Sequence, residues 1–153
     1  MKPYNGFPPE QRERAQRWLR AEWASGRLVR PSKCCACGQD RGVIDAHAED
    51  YSEPFAGGKT DKFHLCFICH MMVHCRFRNR AAWDRYRKQI AQGGHFAAAF
   101  VREFGRFKEE HLDGPAGYDR AIARFVAGPA PRHLVLDEID AGCCSRGVSG
   151  CDS

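Results

Sequence analysis

The sequence lacks a long apolar run, an apolar N-terminal stretch and an internal repeat, and each absence excludes a class of protein. A membrane-spanning helix needs about 20 consecutive apolar residues, and no such run occurs in the 153 residues. The first residues, Met1-Lys2-Pro3-Tyr4, do not resemble a secretory signal, so we expect a cytoplasmic protein. Without a repeat or sustained heptads, a solenoid and a coiled coil are excluded as well.

The sequence does contain 9 cysteines. In a reducing compartment, closely spaced cysteine pairs bind metal more often than they form disulfides. Two Cys-x2-Cys pairs are separated by 28 residues, and two such turns can complete a tetrahedral zinc site. We therefore predict a structural zinc ion held by four thiolates: Cys34, Cys37, Cys66 and Cys69.

The other five cysteines have no such pattern. Cys35 and Cys75 are expected to be reduced thiols. Cys143, Cys144 and Cys151 lack a fourth nearby ligand, so we interpret them as uncommitted thiols, with a second metal site as the alternative.

The formal net charge of +5 is unevenly distributed. Residues 1–33 carry 8 Lys and Arg against 3 acids, and residues 76–108 carry 9 against 2. Residues 34–75 carry only 3 against 6. Of the 24 basic residues 18 are Arg, whose planar guanidinium suits phosphate, although a GC-rich genome also enriches Arg. Two basic arms around an acidic centre favour nucleic acid, DNA in the first place, as the partner.

The positions of Pro and Gly and the spacing of apolar residues predict an α+β fold. Pro8-Pro9 suits a helix start and Gly26 a helix end, which predicts a helix over residues 9–25. Short strands are predicted at 43–47 and 63–65, and a helix is predicted to begin near Cys69.

The rest of the chain is predicted to be helical. Asn79 is a candidate N-cap. Aromatic and aliphatic residues recur at helical spacing and predict three core stripes: Trp83, Tyr86 and Ile90; Phe96, Phe100, Phe104 and Phe107; Tyr118, Ile122 and Phe125. We expect one compact domain in four parts: a basic N-terminal helix at 1–33, a ββα unit at 34–78, a helical region at 79–136 and a flexible cysteine-containing tail at 137–153.

Three histidines are candidate ligands of a second metal ion. His70 and His74 are four residues apart, which places both imidazoles on one face of the predicted helix. His47 follows the first predicted strand, and it reaches the same place if the two strands form a hairpin against that helix. Three histidines that converge beside a structural zinc predict a metal site.

Residues 34–78 resemble the HNH endonuclease superfamily, whose core is a β-hairpin and one helix around a catalytic divalent metal. The matching pattern is Cys34-x2-Cys37, Ala46-His47-Ala48, then Leu65-Cys66-x2-Cys69-His70-x3-His74. Residues 46–54 also look like the Ala-His-His-x-Asp-Tyr-Ser-x-Pro segment of phage-type members. The resemblance implies a ββα-metal fold, metal-dependent hydrolysis of DNA phosphodiesters, and Mg, Mn, Ni or Zn bound by His47, His70 and His74.

Two positions depart from the family pattern. Ala48 stands where the family has the His that activates water, and Asp61 stands where an Asn orients that base. If His47 is aligned as the base instead, Ala46 leaves a ligand position empty. The candidate substitutes for the base are Glu49, Asp50 and His64. The candidates that would steady the phosphate are Arg76, Arg78 and Arg80.

Three functions therefore stay open. The first is an HNH-type DNA endonuclease. The second is a catalytically degenerate HNH-like zinc module that binds nucleic acid or a protein partner. The third is an adaptor that uses the aromatic helical half as its interaction surface.

Overall fold

A computed structural model of the chain describes residues 2–113, 115–122, 125–126, 128 and 134–144. These residues form a mixed α+β fold with six α-helices and two small antiparallel sheets, which confirms the expected class. The elements are α1 (Pro9–Ser25), β1 (Ile44–His47), β2 (Phe63–Cys66), α2 (Phe67–Cys75), α3 (Arg80–Ala91), β3 (His95–Phe96), α4 (Phe104–Phe107, continued by a π-helical turn at Lys108–Leu112), α5 (Pro115–Ile122), β4 (Phe125–Val126) and α6 (Leu134–Cys144). None of the described helices is long and apolar enough to cross a membrane.

Helix α1 confirms the helix predicted over residues 9–25. Its C-terminal cap is Gly26 at a φ of 74°, a left-handed conformation that glycine adopts without steric cost. Ala15 of this helix is buried in a small core with Tyr4, Ala48 and Tyr51. The N-terminal segment is thereby packed against the chain that follows β1.

Strands β1 and β2 form the expected hairpin, with Ile44 opposite Cys66 and His47 opposite Phe63. Helix α2 begins directly after β2 at Phe67, two residues before the predicted start near Cys69. Because side chains alternate across a strand, Asp45 and His47 point to the same face of β1. The hairpin and α2 together confirm the ββα arrangement of secondary structure.

Helix α3 begins where the sequence predicts. The Asn79 side-chain oxygen accepts a hydrogen bond from the Ala82 N–H at 3.0 Å. Trp83, Tyr86 and Ile90 are fully buried, so this predicted stripe forms part of the main core.

The prediction that residues 79–136 are all helical is wrong. Gly93 and Gly94 turn the chain at positive φ, and Phe96 then lies in β3, paired with Phe125 in β4. Phe100 and Phe104 are 68% and 59% exposed. The phenylalanines of the predicted second stripe therefore do not lie on one face of one helix. The glycine turn and the pairing of β3 with β4 prevent the helix that their spacing predicts.

Helix α6 occupies part of the predicted tail. The segment 137–144 continues this helix, and so the expectation of a flexible tail from residue 137 is wrong there. Leu136 and Ile139 are buried in the main core, and Asp140 pairs with Arg80 and Arg87 of α3. The rest of the predicted tail, including Cys151, lies outside the described residues.

Candidate metal centres

Four buried cysteines lie close together where the two predicted pairs meet. One sulfur from each of Cys34, Cys37, Cys66 and Cys69 lies within 4.8 Å of the other three. The Sγ atoms of Cys37 and Cys66 are 3.8 Å apart. Tetrahedral bonds of about 2.3 Å to one ion would place sulfurs about 3.8 Å apart. The arrangement, called here the cysteine cluster, is compatible with a metal site.

Local structure explains how the cysteine cluster forms. Cys34 and Cys37 lie in the loop before β1, where the Gly38 N–H donates to the Cys34 carbonyl at 2.9 Å. The Cys35 N–H donates to the His64 carbonyl of β2 at 2.7 Å and ties this loop to the hairpin. Since β2 runs directly into α2, the second pair spans the end of the strand and the first helical turn.

The thiols of the cysteine cluster are not equivalent. Burial opposes ionisation of Cys34, but hydrogen bonds from the neighbouring thiols bring its pKa well below the usual value. Burial raises the pKa of Cys69 well above it. A bound cation would stabilise the thiolates against this desolvation. Cys35 and Cys75 lie outside the cluster, and burial raises the pKa of each to about 11, in keeping with the expected reduced thiols.

The structure also brings three histidines together, one on β1 and two on α2. One ring nitrogen from each of His47, His70 and His74 lies within 4.8 Å of the other two. The ring centroids of His70 and His74 are 5.0 Å apart, and each lies 5.1–5.3 Å from that of His47. The hairpin places His47 against α2, as the sequence predicts. This set is called here the histidine cluster.

Burial keeps two histidines of the cluster neutral. It lowers the pKa of His47 to about 4. Burial, followed by the cost of a second positive charge beside a protonated His70 or His47, lowers the pKa of His74 to about 2. The Nδ1 atom of His47 is buried and has no hydrogen-bond partner within the described part of the chain. Neutral imidazoles with an unused buried nitrogen fit the needs of a divalent cation.

Asp45 orients one histidine of the cluster, a role that the sequence interpretation missed. Its carboxylate lies 3.2 Å from His70 Nδ1 and also pairs with Arg102. A carboxylate behind a metal-binding histidine fixes the ring and its tautomer. Here it leaves His70 Nε2 turned toward His74 Nε2, 3.2 Å away. The signal in the sequence was the alternation of strand β1, which places Asp45 on the same face as His47.

Glu49 is the centre of a buried hydrogen-bond network beside His47. Its Oε1 atom lies 2.7 Å from His47 Nε2 and 2.6 Å from the Tyr4 hydroxyl, and Arg76 Nη2 lies 3.0 Å from both oxygens. Asn5 donates to Oε2 as well. Burial opposes ionisation of Glu49, but His47 and Arg76 bring its pKa below the usual value. An ionised carboxylate has about four lone-pair positions, and these contacts use them.

This network changes two of the predicted roles. Glu49, a candidate base, already has its acceptor positions occupied and holds His47 Nε2. Arg76, a candidate for the phosphate contact, is only 5% exposed and is paired with Glu49. Arg78 lines a cavity beside His74. Arg80 pairs with Asp84 and Asp140.

The other predicted residues have different local surroundings. Asp61 lies half-buried in the turn before β2, and no hydrogen bond joins it to the three histidines in the described part of the chain. Asp50 accepts a hydrogen bond from the Ser52 N–H at 2.8 Å. His64 is opposite Ala46 in the hairpin, on the face away from His47. Ala48 is fully buried among apolar side chains.

Comparison of the chain with protein-family models, with curated proteins and with solved structures gives no match.

Proposed function

We propose that the protein is a metal-dependent DNA endonuclease of HNH type. In this proposal the cysteine cluster holds a structural zinc ion, and the histidine cluster holds a divalent cation such as Mg²⁺, Mn²⁺, Ni²⁺ or Zn²⁺. One observation carries it: three imidazoles from a hairpin and its following helix converge with nitrogens within 4.8 Å, beside four cysteines. That combination supports a hydrolytic metal site mounted on a metal-stabilised frame.

Each residue around the histidine cluster has a definable task in this proposal. A divalent cation, when bound, would supply Lewis acidity to a phosphodiester and to water. Asp45 holds His70 in the ligating tautomer through Nδ1. Glu49 holds His47 through Nε2, which leaves Nδ1 as its free donor. Arg78, at the cavity beside His74, is placed to bind a phosphate oxygen.

The test is cleavage of supercoiled plasmid and of single-stranded DNA by the zinc-loaded protein with magnesium, manganese, nickel or zinc added separately. We expect cleavage with at least one cation and its loss in His74→Ala. His95→Ala is the matched control, because His95 lies in β3, in the other sheet, and should leave cleavage unchanged. Plasmid and single-stranded DNA that both stay intact with all four cations would contradict the proposal.

A second function is favoured by a specific observation, the burial of Ala48 where the family has its catalytic base. Together with the occupied acceptor positions of Glu49, it supports a degenerate HNH-like zinc module that binds nucleic acid or a protein partner without cutting it. This alternative predicts nucleic-acid binding without nicking under every metal condition. Metal-dependent nicking that His47→Ala abolishes would refute it.

A further inference from the structure

A cavity of about 650 Å³ opens beside His74 between the N-terminal segment, the end of α2 and the α4 region. Among the described residues no carboxylate lines it, although the chain has 19 Asp and Glu. Four basic side chains do: Lys2, Arg12, Arg78 and Lys108. The concentration of positive charge without any acid indicates an anionic occupant. This cavity is called here the basic cleft.

Two phenylalanines in the basic cleft present their rings to solvent. Phe77 is 42% exposed and Phe104 is 59% exposed. Phe77 makes a T-shaped contact with Tyr4, with centroids 5.8 Å apart, and the Arg76 guanidinium lies over its ring at 4.1 Å from the centroid. Phe104 is held by an edge contact with Phe67 at 5.4 Å. Both rings are thus fixed in place while part of their surface stays open to a ligand.

We propose that the basic cleft binds single-stranded DNA, with bases stacked on Phe77 and Phe104 and phosphates on the four basic side chains. Ordered aromatic rings inside a positively charged groove are the pattern by which proteins hold single strands. A duplex does not offer the base faces that these rings need, since its bases are stacked on each other. The volume of the basic cleft is within the range of pockets that bind small ligands and accommodates a nucleotide.

The inference deepens the proposed function by naming single-stranded DNA as the form of the substrate. It rests on that function only for the cleavage of the bound strand. Because His74 lines the basic cleft, a strand held there passes the histidine cluster. Stacking on Phe77, three residues after His74, would bring a neighbouring phosphate to the metal ligands. Binding itself requires no cleavage and can be measured separately.

The experiment is fluorescence anisotropy of a labelled single-stranded oligodeoxynucleotide with the full-length, zinc-loaded protein and no added divalent cation. We expect Phe77→Ala and Phe104→Ala each to weaken binding by about tenfold or more, the usual effect of losing one stacked base. Phe100→Ala is the matched control, because Phe100 is 68% exposed and lies outside the basic cleft. It should bind as wild type does. The duplex of the same sequence should bind more weakly, and Phe77→Ala should not change its affinity.

Two further variants separate stacking from folding. Phe77→Trp and Phe77→Leu both keep a large apolar side chain beside Tyr4, but only the first keeps a ring for a base. We expect Phe77→Trp to bind the single strand and Phe77→Leu to lose affinity like Phe77→Ala. Equal affinity of wild type, Phe77→Leu and Phe104→Ala would overturn the inference, and so would a preference for the duplex.

The outcomes also separate this inference from the proposed endonuclease. Binding that depends on Phe77, without cleavage of plasmid or of single-stranded DNA under any cation, would contradict the endonuclease and support the single-strand site. If the protein nicks plasmid but its affinity for single-stranded DNA does not depend on Phe77 or Phe104, the endonuclease is supported and the single-strand site is contradicted.

Discussion

At the scale of single residues, two carboxylates behind the histidine cluster decide which nitrogens are free to bind. Asp45 engages Nδ1 of His70, and Glu49 engages Nε2 of His47. The two rings are therefore held through opposite nitrogens, and Nδ1 of His47 has no hydrogen-bond partner within the described residues. Both carboxylates are held in turn by arginines, Arg102 and Arg76. The cluster is positioned by two ion pairs, of which only that of Arg76 with Glu49 is buried, as well as by its backbone.

Removing Asp45 should weaken the histidine site without harming the cysteine cluster. Loss of a carboxylate behind a ligating histidine typically costs about 10- to 100-fold in metal affinity. We expect an effect of that size in Asp45→Ala when the second cation is titrated by calorimetry into zinc-loaded protein. Asp40→Ala, which removes an exposed carboxylate, should leave that affinity unchanged. An unchanged affinity in Asp45→Ala would show that His70 needs no such support.

Removing Arg76 should destabilise the fold strongly. The pair of Arg76 and Glu49 is almost fully buried, with side-chain exposures of 1% and 8%. Truncating one partner of a buried pair leaves the other charge uncompensated, at a cost of about 3–5 kcal/mol. We expect Arg76→Ala to lower the free energy of unfolding by that order in urea denaturation of the zinc-loaded protein. Arg78→Ala, a change in the basic cleft, should stay within about 0.5 kcal/mol, and equal stability of the two variants would count against the buried network.

At the scale of the elements, the hairpin β1–β2 is too small to be stable by itself. Each strand has 4 residues, and an isolated two-stranded hairpin is marginal in water. The cysteine cluster joins the loop before β1 to the junction of β2 and α2. The two ends of the hairpin are thereby held together at the cluster. Metal bound there would therefore contribute directly to folding.

Stripping the metal should unfold the unit at 34–78. We expect a strong chelator to abolish its melting transition, followed by circular dichroism, and zinc to restore it. Cys69→Ser should behave like the stripped protein, because it removes one of the four ligands. Cys75→Ser is the control, since Cys75 is outside the cysteine cluster and should retain bound zinc. A metal-free protein that melts as before would show that the frame does not need the ion.

Sequence spacing predicted the elements that depend on local pattern. Two Cys-x2-Cys turns and the spacing of His70 and His74 predicted the local parts of both clusters, since neighbours on a turn or a helix face are fixed by geometry. Contacts between distant residues were not predictable in this way. Arg76 is 27 residues from Glu49 and 72 from Tyr4, so no local pattern links them. The strands β3 and β4 were not predicted for the same reason: each lies in a segment whose residue spacing predicts a helix, and only their pairing makes them strands.

At the scale of the whole molecule, the two basic arms converge on one surface. Lys2 and Arg12 come from residues 1–33, whereas Arg78 and Lys108 come from residues 76–108, and all four line the basic cleft. Part of the uneven charge of the sequence therefore comes together in one cleft beside the histidine cluster. An electrostatic surface of this kind makes nucleic-acid affinity depend on salt.

The affinity for single-stranded DNA should fall as salt rises, and the slope of log affinity against log salt should increase with the number of basic side chains in the basic cleft that contact phosphate. Each phosphate contact with a single strand contributes a slope of about −0.7 in a plot of log affinity against log salt, so four contacts give roughly −3. Arg78→Ala should make the slope shallower by about 0.7. Arg20→Ala, an exposed change on α1 outside the basic cleft, should leave it as in wild type. Identical slopes in all three proteins would place the bound strand elsewhere.

The central claim is that this chain holds two metal ions, one in the cysteine cluster and one in the histidine cluster. It is tested most directly by equilibrium dialysis against zinc, followed by metal analysis of wild type, the double variant His70→Ala with His74→Ala, and the control His95→Ala. We expect two zinc ions per chain in wild type and in the control, and one in the double variant. A single ion per chain in all three proteins would contradict the account.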